Sequence, residues 1–88
     1  MQISREVIHR EIAGEHFLVP VGELALKRSG VFVITEIGAE IWEMLQSGKK
    51  LDEILGALLN EYEVAEDVLK TDIEEFLQML RKKELIRD

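Results

Sequence analysis

The stretch from Gly30 to Leu45 constrains this chain more than any other, because a strand pattern there runs into a helix pattern with no linker. Val31, Phe32, Val33 and Ile34 are four consecutive apolar residues, mostly β-branched, and such side chains fit a pleated surface. Thr35 follows with a hydroxyl that can accept from the exposed amides of a helix beginning at Glu36. Within that helix Ile37, Ile41, Met44 and Leu45 fall on one stripe, with Trp42 beside it. A strand joined this directly to a core helix places both halves of the chain around one core. The expectation is a single domain, 1–88, with strands over 1–34 and helices over 35–88.

Eighty-eight residues leave no room for a second independent core. Cysteine is absent, which excludes disulfides, thiolate nucleophiles and iron–sulfur ligation together and fits a reducing compartment. The start, Met1-Gln2-Ile3-Ser4-Arg5-Glu6, is mixed and charged with no signal core. No run approaches the ~20 apolar residues that a membrane helix needs. A cytoplasmic location without membrane contact is expected. Net charge is −7, and its distribution says more than its sum. Acidic and basic residues balance through residue 34, so the excess belongs to the helical half, where 14 acidic residues face 7 basic ones. Nucleic-acid binding draws on phosphate neutralisation, and a surface of this sign repels phosphate.

Upstream of the junction, Glu6 to Ile12 reads as a first strand, Ala13-Gly14-Glu15 as a turn, and His16 to Val19 as a second strand. Pro20 lacks an amide hydrogen and should end that pairing or sit at an edge. Val21-Gly22-Glu23 redirects the chain, and Leu24-Ala25-Leu26 reads as either a short strand or an irregular bridge. Ser29-Gly30 suits a hairpin turn into Val31–Ile34. Downstream, helices are expected over about 36–46, closing at Ser47-Gly48, then about 51–62 and about 66–83. The second lacks a good cap at Lys50, although Asp52 and Glu53 favour its first turn. The third carries Leu69, Ile73, Phe76, Leu77 and Leu80 on one face, and Leu85-Ile86 forms an apolar tail that tucks back. The fold class is α+β: a three-stranded antiparallel N-terminal sheet followed by three helices.

No catalytic constellation emerges. His9 and His16 are the only histidines, without the further ligands a zinc site wants, so strand packing or solvent exposure is the simpler role for them. The pairs Asp52-Glu53, Glu66-Asp67 and Glu74-Glu75 diverge by about 100° on a helix and do not converge on one substrate atom. The glycines form no phosphate cradle, and Ser4, Ser29 and Ser47 lack triad partners. No enzyme, metal or cofactor is expected. What remains is a surface: a three-stranded meander has a free edge, and a free edge takes an added strand. If Val31–Ile34 is that edge, Phe32 and Ile34 point to one face, Val31 and Val33 to the other, and the long last helix can wall a groove beside it.

The junction Ile34-Thr35-Glu36-Ile37-Gly38-Ala39-Glu40-Ile41-Trp42-Glu43-Met44-Leu45-Gln46-Ser47-Gly48 resembles the PqqD family. That family leads a leucine–asparagine–x–threonine–glycine–alanine segment into an isoleucine–tryptophan–glutamate helix with a closing glycine, and Gly38, Ala39, Ile41, Trp42, Glu43, Leu45 and Gly48 match. Asp52-Glu53-Ile54, Glu61-Tyr62-Glu63-Val64, the run Asp72 to Leu77, and Leu85-Ile86 match further on, and Pro20-Val21-Gly22-Glu23 looks like a standalone subgroup. Thr35 replaces asparagine, Ile37 a small hydroxyl residue, and Glu84 a glycine. The resemblance implies a winged-helix-like module that binds the leader of a ribosomally made precursor peptide and presents it to a modifying enzyme, often a radical SAM protein. It implies further that the leader adds as a strand on Val31, Phe32, Val33 and Ile34, in a cleft walled by Leu69, Asp72, Ile73 and Phe76. The alternative is an accessory or regulatory subunit that contacts proteins without leader specificity, and an unfilled edge can also pair with a second copy.

Overall fold

The computed structural model describes residues 1–28 and 30–87. Strand β1 (Gln2–Ile3) leads into β2 (Val7–Ile12) and β3 (Glu15–Pro20), which pair antiparallel from Val7↔Pro20 to Ile12↔Glu15. Their turn is Ala13-Gly14, with φ of 53° and 82°, the sign that a type I′ hairpin demands at both central residues. Pro20 is the last paired residue, at a position whose nitrogen faces away from β2 and so needs no amide hydrogen there. Val21 N–H still donates to the Glu6 carbonyl at 2.8 Å.

Leu24-Ala25-Leu26, left open between strand and bridge, belongs to neither. It lies in a short helix, α1 (Gly22–Lys27), so the fold has four helices rather than three. The cause is remote in sequence. Gly22 takes φ +62°, and the Glu6 carboxylate accepts from the Glu23 N–H at 2.9 Å. A side chain at Gly22 would collide with that carboxylate. The hairpin turn expected at Ser29-Gly30 falls partly outside the described residues, since Ser29 is not among them. With α1 intervening, β3 and β4 are not joined by a simple hairpin.

Strand β4 (Phe32–Ile34) begins one residue later than expected and pairs antiparallel with β3 through His16↔Ile34, Phe17↔Val33 and Leu18↔Phe32. The sheet order is β2-β3-β4. This is the antiparallel three-stranded sheet the pattern predicts, with β4 at its margin.

Helix α2 (Glu36–Gln46) starts under the Thr35 cap, whose Oγ1 accepts from Gly38 N–H at 3.0 Å. Helix α3 (Leu51–Glu61) has no side-chain acceptor from Lys50, but the Glu53 carboxylate reaches back to the Lys50 N–H at 2.9 Å and compensates. Helix α4 (Glu66–Lys82) buries Leu69, Ile73, Leu77 and Leu80. The apolar tail does tuck back. Strand β5 (Ile86–Arg87) pairs antiparallel with β1 through Ile3↔Ile86, closing a second, two-stranded sheet from the two ends of the chain.

One core cluster joins Val7, Leu18 and Ile34 of the sheet to Ile41 and Trp42 of α2, Ile54 and Leu58 of α3, and the buried face of α4. Trp42 is fully buried, and its indole N–H has no hydrogen-bond partner among the described residues. Each such buried aliphatic or aromatic side chain contributes on the order of 1.5–3 kcal/mol. No helix among the described residues is long and apolar enough to cross a membrane.

Candidate functional site

Because β3 is central, β4 has one neighbour among the described residues and turns its other edge outward. The alternation along it is clean: Ile34 is buried and Phe32 half-buried, while Val31 and Val33 are 53% and 68% exposed. The strand is therefore anchored through one face and leaves its outer edge unpaired. An unpaired edge of uncharged residues is a template for another backbone.

Helix α4 flanks this edge. Gly38, in the first turn of α2, is the gauge of how closely. A Cβ placed on it would lie 3.1 Å from the Phe76 ring, 3.2 Å from Thr35 Oγ1 and 3.5 Å from Ile34 Cβ. Phe76 and Ile34 thus meet over the same glycine, which is why only the smallest residue fits easily there. Seven positions further along α4's axis, Lys83 Nζ lies 4.8 Å from the centroid of the Phe32 ring, within cation–π range. Helix and strand therefore run in opposite directions, with Phe76 at the Ile34 end and Lys83 at the Phe32 end.

The residues implied by the sequence divide accordingly. Val31, Phe32, Val33 and Ile34 lie on or immediately before the free edge. On α4, Leu69 and Ile73 are 1% and 5% exposed and belong to the core cluster, whereas Asp72 is exposed and Phe76 half-buried. The surface of α4 next to its buried face carries Asp72, Phe76 and Met79, and Lys83, which caps the helix, continues the row at spacings of four, three and four. Met79 and Lys83 were not among the residues implied by the sequence. The same periodicity that located the core contains them, one step round the helix, but nothing local points Lys83 at Phe32.

Away from α4, the β2–β3 part of the sheet differs in kind. His9 Nε2 lies 2.9 Å from His16 Nδ1, the rings stack with centroids 5.2 Å apart, and His9 Nδ1 lies 3.1 Å from Glu43 Oε1. Of the two roles expected for the histidines, strand packing or solvent exposure, they show the first, joining β2 to β3, and His9 also joins the sheet to α2. A concavity beside them is lined by Glu11, Glu36, Glu40, Glu43 and Glu61. Tyr62 Oη donates to Glu40 Oε2 at 2.5 Å. That hydrogen bond, reinforced by burial and by neighbouring carboxylates, pushes the phenol well above its ordinary range. Hydrogen bonding with Glu40 likewise raises the Glu61 carboxyl. Among the described residues no three histidine, aspartate or glutamate side chains are grouped to hold a metal ion.

The family model of Coenzyme PQQ synthesis protein D (PqqD) matches residues 15–86. The chain belongs to the PqqD family. No curated protein sequence matches it. Among solved structures, TbiB1 in complex with the TbiA(beta) leader peptide is 31% identical, with a TM-score of 0.81 over 99% of this chain and 95% of that one. The match to TbiB1 extends over the strands, the four helices and the closing β1–β5 pair alike, since almost the whole of each chain is covered.

Proposed function

We propose that residues 1–88 act as one non-catalytic peptide-recognition domain. It captures the leader of a ribosomally made precursor as an added strand on β4 and presents it to a modifying enzyme, with a radical SAM protein as one candidate class. The observation that carries this reading is the free β4 edge beside α4, in a PqqD family member closely similar in fold to a protein solved with a leader peptide. Main-chain hydrogen bonds along the edge supply affinity, and the half-buried Phe32 and Phe76 with Met79 supply an apolar floor that discriminates between side chains. Ordering a flexible leader opposes binding, so affinity is moderate rather than extreme.

The experiment is a titration of isotope-labelled protein with the precursor peptide encoded beside its gene, following backbone amide shifts. Shifts centred on 31–34 and on 72–83 are expected. Shifts confined to the His9–His16 side would remove β4 as the site, and absence of any shift would remove that peptide as the partner.

A further inference from the structure

We propose that the Phe32 end of the β4–α4 cleft is a carboxylate subsite. There Lys83 selects leaders bearing an acidic residue. This rests on the peptide-binding reading above and adds to it the charge pattern of the bound strand.

Three observations converge on Lys83. Its ammonium is held over the Phe32 ring, so the charge sits in the cleft before any ligand arrives. Among the described residues it has no hydrogen bond or ion pair. The obvious candidate, Glu84, has φ +61° and pairs with Arg28 at 3.3 Å, so its charge is spent elsewhere. The α4 carbonyls that would otherwise compete for a cation are occupied as well. Those of Met79, Leu80 and Arg81 accept from the N–H groups of Lys83, Leu85 and Glu84 at 2.8–3.1 Å.

In a chain of net charge −7, Lys83 thus sets a cation beside Phe32 at this end of the strand.

The test is selection from a displayed library of random twelve-residue peptides on immobilised wild-type protein, on Lys83→Glu, and on Lys83→Gln in case the reversed charge weakens folding. Wild type should enrich peptides with Asp or Glu at one fixed position, with a preference of roughly two- to five-fold per binding step that falls as salt rises. Lys83→Glu should turn the preference to Lys or Arg, and Lys83→Gln should abolish it. Binders without a fixed acidic position, or with the same preference in all three proteins, would overturn the subsite and leave the peptide-binding reading standing. If wild type enriches no peptide at all, both fall.

Discussion

The two edges of the three-stranded sheet are built to opposite specifications. Strand β2 is six residues long and carries His9, Arg10 and Glu11 in succession. Strand β4 is three residues long, and neither it nor Val31 before it bears a charge. Charged side chains along an edge discourage strand addition, and short, flanked edges limit it. Thus β2 is guarded by chemistry, whereas β4 is guarded only by brevity and by the helix beside it. The histidine pair ties β2 to the central strand, and Glu43 ties it on to α2. Under the proposed function, it is the open margin that takes the added strand.

The sharpest way to break this contrast is to test how each edge is anchored. Ile34→Ala removes a buried side chain that ties β4 to the core and should cost about 2–4 kcal/mol in urea unfolding. Ile12→Ala, at a residue 62% exposed on β2, should stay within about 0.5 kcal/mol. Equal costs would mean that the two edges are held alike. Charge exchange comes next. Val33→Glu places a carboxylate on an exposed β4 position and should weaken leader binding about tenfold by calorimetry with little change in melting temperature. Arg10→Val should leave binding unaltered and raise self-association in sedimentation, since it unguards β2. Thr35→Ala deletes the cap where β4 becomes α2 and should cost about 1 kcal/mol, read as a lower denaturation midpoint at unchanged slope.

The smallest effect is spectroscopic. Tyr62 is the only tyrosine, so absorbance near 295 nm follows its ionisation alone. With its pKa raised in the folded state, the Glu40 contact contributes fully below about pH 10, the ordinary tyrosine value, and is lost as pH rises through the higher folded one. Glu40→Gln should bring the titration back toward that ordinary value. Leader affinity should stay unchanged, because neither partner lies on β4 or α4.

What the sequence made legible was whatever local pattern specifies. Thr35 followed by an apolar stripe defined α2 to the residue, and the β-branched runs located all three strands of the main sheet. Helix α1 escaped because its start depends on a carboxylate seventeen positions away and because Leu24 alone in it is buried, leaving too short a pattern to read. The β1–β5 pair escaped for a similar reason: two residues at each end become strands only by meeting. On β4, the alternation of buried Ile34 and half-buried Phe32 with exposed Val31 and Val33 was legible. On α4, periodicity marked Leu69, Ile73 and Phe76 as one face, yet it could not separate core from rim at a resolution of one residue. Lys83 belongs to the rim only because the chain folds Phe32 beneath it.

The pairing of Gln2 with Arg87 has a practical corollary. Any polypeptide continued from either end departs from the same corner of the molecule, so a tether attached there, front or back, swings the cleft through much the same volume. A second domain fused before or after this one would therefore be anchored at the same point.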